Sequence, residues 1–303
     1  MSSITTNVAN TTLHSSFSKC LIHPPAPSQI EKLRQLWKDT FGDTDTFLDI
    51  FFKTAFSYER CLCVTIDDSV VAALYWFDCE FSTQKIAYIY AVATAKEFRG
   101  QGICHALMEH THLHLKEKGY AGAMLSPAEE SLFDFYKKMG YKTTAYIKEI
   151  HCDSSLDSQP RDMELKAASY DAPVFCNDSN VELREISKTE FAKLRRYFLP
   201  ETAVLQENEN LDFLEQQVSF YAGKNFLLTA QVTDIAEHDA SMPTKHLHGI
   251  EFLGNPSIIP SIVHAFSCAT GTFRTIGTEK PFGMYYAFTD TNLTPNYLGF
   301  IFD

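Results

Sequence analysis

The stretch V-A-T-A-K-E-F-R-G-Q-G-I-C runs from Val92 to Cys104, with a strand-like run before its two glycines and a long helical pattern after them. A glycine loop between a strand and a helix exposes backbone N–H groups at the positive end of the helix, a natural site for a phosphate. Two phosphate loops are excluded by spacing. A G-x-x-x-x-G-K-[ST] loop needs Lys-Ser or Lys-Thr after the glycines, and neither is present. A G-x-G-x-x-G fingerprint needs a third glycine for close packing where this chain has His105. Other residues with chemical potential lie nearby. His110 and His114 are four apart on one helical face, as zinc ligands can be, but no third ligand stands at useful spacing and no metal is expected. Cys61 and Cys63 alternate along a strand and lack C-x-x-C spacing, so packing is the expected role.

These residues need elements to position them. K-C-L-I-H (Lys19–His23) reads as a first strand. Ser28 is expected to cap a helix with Ile30, Leu33, Leu36, Trp37 and Phe41 on one side, ended by Gly42. T-F-L-D-I-F-F-K-T-A-F follows as a second helix. R-C-L-C-V-T-I and V-V-A-A-L-Y-W-F form a hairpin about Asp67, Asp68 and Ser69. K-I-A-Y-I-Y-A-V-A-T is the next strand, and a helix spans Gly102–Gly119. A-G-A-M-L-S is a short buried strand. E-E-S-L-F-D-F-Y-K-K-M-G is a helix with acids at its start and lysines at its end, and Y-K-T-T-A-Y-I-K-E-I closes the unit. The order predicts an α/β (α+β) fold with a mixed, mostly antiparallel sheet flanked by helices.

Composition bounds the function. The 303 residues suffice for two domains, and their formal charge of −12 argues against nucleic-acid binding. Residues 1–155 carry 15 basic against 18 acidic side chains, and residues 156–303 carry 11 against 20. The acidic second half favours cationic partners such as amines. No apolar run reaches the roughly 20 residues of a membrane helix, and the N-terminus lacks a signal-peptide pattern. Eight cysteines without a repeated pair suggest reduced thiols in a cytoplasmic protein.

The Val92–Cys104 stretch resembles motif A of the GNAT superfamily of N-acetyltransferases, Q/R-x-x-G-x-G/A, with Arg99, Gly102 and Cys104 at its specified positions. Cys104 departs from the usual glycine or alanine. S-L-F-D-F-Y-K-K-M-G-Y resembles motif B, a helix carrying F-Y-x-x-x-G-[FY]. The resemblance covers about residues 20–150 and implies acetyl-CoA as the acyl donor. Val92, Ala93 and Thr94 would pair with its pantetheine arm where the fourth and fifth strands splay into a wedge. Arg99, Gly100, Gln101, Gly102, Ile103, Cys104 and His105 would surround its pyrophosphate. Tyr136 matches the tyrosine that protonates the departing thiolate in many members. The candidate bases are Glu129 and Glu130 at the motif B helix, Asp78 and Glu80 on the third strand, and the terminal carboxylate of Asp303. An amine of pKa near 10.4 is neutral in about 1 in 2,500 molecules at pH 7, so an acid and a base both lower the barrier.

The expected organisation is a tail over 1–18, a GNAT domain over 19–153, a linker over 154–180 and a degenerate GNAT-like domain over 181–303. The second half repeats the strand-then-helix opening in V-E-L-R-E-I-S-K-T-E-F. Its N-P-S-I-I-P loop lacks the glycine pattern, and Pro256 and Pro260 remove N–H donors, so no cofactor site is expected there. Y-L-G-F-I-F reads as a last strand. The expected activity is direct acetyl transfer to an amine of a small molecule or protein in a ternary complex. The alternative is a non-catalytic acyl-CoA-binding or protein-interaction module.

Overall fold

The computed structural model describes residues 20–153, 181–235, 244–289 and 293–302. The expected tail, the linker and the Asp303 carboxylate lie outside the described residues. Two compact units interleave along the chain. The first takes Met1–Thr144, Leu205–Phe213 and Gly283–Pro295; the second takes Ala145–Val204, Leu214–Phe282 and Asn296–Asp303.

In the first unit, β1 (Cys20–His23) precedes α1 (Ile30–Phe41) and α2 (Asp45–Thr54). Then come β2 (Cys61–Ile66), β3 (Ser69–Phe81), β4 (Gln84–Thr94), α3 (Ile103–Glu117), β5 (Gly122–Leu125) and α4 (Glu130–Lys138). The β2–β3 hairpin turns on Asp67 and Asp68 at φ of +47° and +66°, a mirror-image turn that suits the twist of its strands. Ser82 and Thr83 turn β3 into β4 with φ of +48° and +64°, although neither residue advertises a turn of that kind. Gly42 ends α1 in the left-handed conformation. Ser28 does not cap α1 as expected. Pro27–Gln29 forms a 3₁₀ turn in which the Gln29 side chain accepts the Ala26 N–H at 2.8 Å, and the helix starts at Ile30.

The sheet of the first unit runs β1-β2-β3-β4-β5 and ends on Met284–Ala287, which pair antiparallel with β5. Only β4–β5 is parallel. One face packs Leu74, Trp76 and Ile89 against Leu107 and Leu115 of α3. The other is aromatic: Trp37 stands 5.1 Å from Tyr75 and 5.6 Å from Tyr90, and Phe51 lies 5.9 Å from Tyr90. Phe213, on the returning segment 205–213, enters this face 5.5 Å from both Phe47 and Phe51.

The second unit holds β6 (Lys142–Asp153) from Ala145 onward, β7 (Leu183–Ile186) and α5 (Lys188–Phe198). The short β8 (Leu205–Gln206) belongs to the first unit, and so does most of α6 (Glu209–Leu214). The second unit continues with β9 (Ser219–Gly223), β10 (Phe226–Ile235), β11 (Thr244–Gly254), α7 (Ile259–Ala265) and β12 (Thr270–Ile276). The last strand, β13 (Lys280–Ala287), supplies Met284–Ala287 to the first unit. The second unit's sheet order is β6-β12-β11-β10-β9-β7. Arg195 and Glu251, 2% and 1% exposed, form a two-bond ion pair at 2.7 and 2.9 Å. The Tyr297 hydroxyl donates to Glu251 at 3.0 Å, and Arg195 lies 4.2 Å over the Phe300 ring. The Y-L-G-F-I-F stretch is therefore buried, but it is not a strand: among the described residues it makes one isolated bridge, Ala203 to Tyr297. A side chain at Gly299 would collide with the buried pair.

Candidate active site

β4 carries the site because it outruns its parallel neighbour. Its register with β5 covers only Ile86–Tyr88 against Gly122–Met124. Ile89–Thr94 continue beyond that pairing, while β5 ends at Leu125. Within this free stretch β4 is bulged. Ala73 pairs with Ala93 and Tyr75 with Tyr90, so Ala91 and Val92 together oppose Leu74. Ala91 sits at φ +48°, a strained conformation for a residue with a Cβ, and a bulge of this kind re-aims backbone groups at a site. The strands thus form a fork, closed at Ile86–Tyr88 and open at Val92–Thr94.

The loop above the open end is held by its own side chains. Lys96–Phe98 make one 3₁₀ turn, the Arg99 Nε–H donates to the Thr94 carbonyl at 2.9 Å, and the Gln101 amide donates to the Glu97 carbonyl at 2.9 Å. Gly100 and Gly102 have φ of +75° and +80°, and a Cβ on either would meet nothing within 4 Å. Gly102 is the N-cap of α3, whose first bond to it is from the Ala106 N–H at 3.0 Å. The N–H groups of Ile103, Cys104 and His105 precede that bond and have no acceptor within the helix. Ile103 is buried, His105 exposed and Cys104 half-buried. The Cys104 thiol is pushed up to about 11 by burial, opposed by a hydrogen bond with the Thr94 side chain.

Tyr136 projects from α4 into this neighbourhood and is 8% exposed. Burial, and then the nearby Cys104 thiol, raise its pKa, so it is a neutral phenol. Among the described residues its hydroxyl has no hydrogen-bond partner. It stands 5.8 Å from Tyr141, whose hydroxyl is 2.8 Å from His112 Nε2. His112 in turn stacks at 4.4 Å on Tyr286, and a Cβ on Gly140 would strike the same ring at 2.8 Å. The sequence marked Tyr141 only as the last position of motif B, and it gave His112 and Tyr286 no part in the site. His112 lies two turns along α3 from Cys104, a spacing that could have flagged it, whereas nothing local to Tyr286 reveals its place.

The structure brings together Val92, Ala93, Thr94, Arg99–His105 and Tyr136. It separates two of the proposed bases, Asp78 and Glu80, from them. β3 is antiparallel to β4, so its later residues lie beside the start of β4: Asp78 pairs with Ala87 and Glu80 with Lys85. Glu80 is exposed at the far end of β4 from Thr94. Asp78 accepts from the Tyr120 hydroxyl, and its other oxygen pairs with Lys85 at 2.9 Å. Its backbone N–H donates to Glu209 at 2.8 Å, and its carbonyl accepts from Asn210 at 2.9 Å. Asp78 thus ties segment 205–213 to the closed end of the fork. Glu129, the N-cap of α4, and Glu130 in its first turn are both exposed. Cys61 and Cys63 are fully buried free thiols, raised in pKa chiefly by burial. His110 and His114 are half-buried, and burial lowers both. Among the described residues no group of three His, Cys, Asp or Glu side chains is arranged to hold a metal ion. No helix among them is long and apolar enough to cross a membrane.

A strand fork beneath a glycine-opened helix, in a mixed and mostly antiparallel sheet flanked by helices, defines a fold of the GNAT type. Residues 22–144 match the family model described as an acetyltransferase (GNAT) domain. The fold is similar to that of a GCN5-related N-acetyltransferase from Anabaena variabilis, at TM-score 0.65 and 15% identity over 88% of this chain and 72% of that one. It is also similar to a GCN5-related N-acetyltransferase from Kribbella flavida, at TM-score 0.61 and 14% identity over 89% and 71%. No curated protein matches the sequence.

Proposed function

We propose that the chain is an acetyl-CoA-dependent N-acetyltransferase that moves the acetyl group directly to an amine in a ternary complex. The observation that carries this reading is the open fork: a bulged β4 edge, unpaired on its β5 side at Val92–Thr94, lies under the free N–H groups of Ile103–His105, with Tyr136 beside Cys104. A pantetheine arm fits the unpaired edge as an added strand, and a pyrophosphate fits the helix N-terminus. In this reading the amine attacks the thioester carbonyl, the carbonyl re-forms as the C–S bond breaks, and the thiolate takes the Tyr136 proton. A phenol kept neutral by burial, with no competing partner among the described residues, is suited to that donation. With Asp78 engaged in an ion pair and Glu80 at the far end of β4, Glu129 and Glu130 remain as proposed acceptors of the amine proton, through water. The second unit is proposed to be a degenerate GNAT-like domain without a cofactor site, and a cytoplasmic location is proposed for the whole.

The test is calorimetric titration of the full chain with acetyl-CoA, followed by an amine screen with Tyr136→Phe. Native binding in the micromolar range, acetyl transfer to an amine, and a fall of about 10- to 100-fold in kcat for Tyr136→Phe with little change in acetyl-CoA affinity are expected. Binding without transfer to any amine would instead favour the non-catalytic module. Absence of native binding would end the enzyme and acyl-CoA-binding readings and leave the protein-interaction module.

A further inference from the structure

Tyr136 is placed by packing. Its hydroxyl has no hydrogen-bond partner among the described residues, so no polar contact sets where the phenol points. Among those residues its ring meets Phe135 at 5.2 Å, and Tyr141 at 5.8 Å and 68°. Phe135 precedes it on the same helix and is 37% exposed, so it is no firm wall. Tyr141 is 1% exposed. The contact with Tyr141 follows from how α4 ends. Gly140 takes φ of +92°, its N–H donates to the Lys137 carbonyl at 3.0 Å, and the Tyr141 N–H donates to the Tyr136 carbonyl at 3.2 Å. Such a left-handed glycine cap presses the residue after the glycine against the one in the last turn whose carbonyl it bonds. The F-Y-K-K-M-G-Y spacing therefore seats one aromatic ring on another.

What holds Tyr141 stands on other elements. Its hydroxyl lies 2.8 Å from His112 Nε2 on α3, and its ring 5.5 Å from Tyr286. His112 is itself clamped, stacked on Tyr286 at 4.4 Å and 24° and 5.6 Å from Phe288. Burial, followed by Tyr136 and Tyr286, keeps the Tyr141 phenol protonated, and burial keeps His112 neutral, so the bond joins two uncharged groups. A buried hydroxyl needs such a partner, whereas a phenylalanine would fill the same space without one. Ring contacts are weakly directional, but a hydrogen bond weakens steeply off its axis. The bond to His112 is thus what gives Tyr141 a single orientation. His112 and Tyr136 share no hydrogen bond or ring contact among the described residues, so any influence of one on the other passes through Tyr141.

We propose that His112 is a positioning residue for Tyr136: through its hydrogen bond to Tyr141 it fixes the ring on which Tyr136 leans, and so the place of the Tyr136 hydroxyl. The catalytic consequence rests on the acetyltransferase reading above, whereas the placing of the ring does not, and two experiments separate them. The first uses the full chain labelled with 3-fluorotyrosine, in which the Tyr136 fluorine resonance is the one lost in Tyr136→Phe. His112→Leu should shift or broaden that resonance, and His112→Gln, whose amide can stand in for Nε2, should return it close to its native position. Thermal unfolding verifies that each variant is folded; where His112→Leu does not fold, Tyr141→Phe, which loses one oxygen, carries the test. A Tyr136 resonance left unmoved in the folded variant overturns the proposal whether or not the chain transfers acetyl. The second experiment is steady-state kinetics with an amine from the screen. His112→Leu and Tyr141→Phe should each lower kcat about tenfold with the KM for acetyl-CoA unchanged, and His112→Gln should regain most of that loss. The double variant should be no slower than either single one, because both remove the same bond. A bond that served stability alone would lower Tm and leave kcat of the folded enzyme untouched. Native kcat in both single variants, or losses that multiply in the double one, overturns the positioning role and leaves the acetyltransferase reading standing. Native kcat in Tyr136→Phe would instead remove Tyr136 as the acid, and the catalytic consequence with it.

Discussion

Gly102 shows how one residue can matter more to a ligand than to the fold. Its φ of +80° is costly for any residue with a Cβ, yet a Cβ there would meet open space. Gly102→Ala should therefore lower stability by only about 1 kcal/mol, the strain of the left-handed conformation. The added methyl stands where a phosphate must approach the N–H groups of Ile103 and Cys104, so acetyl-CoA affinity should fall by about tenfold or more. Thermal unfolding and calorimetry on the same variant check the two halves. Equal, small effects on both would mean that the loop does not hold the ligand. Tyr136 offers the opposite contrast. Its hydroxyl has no partner among the described residues, so Tyr136→Phe should leave stability nearly unchanged even where it removes turnover.

At the scale of elements, α3 joins the loop to a buried aromatic wall through His112. Burial, with a smaller contribution from His105, lowers its pKa from 6.5 to about 4, so it is neutral in the folded protein at pH 7. The unfolded chain protonates it near 6.5. Its contribution to stability is thus complete above about pH 6.5 and is lost as pH falls toward 4, by about 3 kcal/mol in all. His110 and His114 are shifted in the same direction. Urea midpoints measured from pH 7.5 to 4 should fall more steeply for the native chain than for His112→Gln; parallel curves would refute this account. Most of these elements were legible in the sequence, because glycines, hairpin aspartates and a 3.6-residue apolar period act locally. The fork was legible too, since strand, glycine loop and helix are consecutive. The strands β9 and β12 and the helix α6 were not: β12 takes its partners, β11 and β6, from well before it in the chain, and no local pattern marks β9 or α6. The same limit hid Tyr286, and it misplaced Asp78 and Glu80, whose distance from the fork follows from strand direction alone.

At the scale of the molecule, the matched stretch 22–144 is not the whole of the first compact unit, which also takes residues 205–213 and 283–295. Those segments are structural parts of it. Phe213 is 0% exposed among the rings of α2 and β3, Met284 is 1% and Tyr285 3%, and Met284–Ala287 give β5 its antiparallel neighbour. At roughly 1.5–3 kcal/mol for each large buried side chain, these three alone contribute on the order of 5–9 kcal/mol. That is comparable to the entire stability of an ordinary domain, about 5–15 kcal/mol. Without them Gly140, whose missing Cβ admits the Tyr286 ring, faces a void, and His112 loses the ring on which it stacks. A fragment of residues 19–153 should therefore lack a cooperative thermal transition by circular dichroism and should not bind acetyl-CoA. Co-expression with residues 181–303, which carry both missing segments, should restore a folded complex. A cooperative transition in the isolated fragment would show that the returning segments decorate a unit complete without them, and that its core tolerates an open β5 edge.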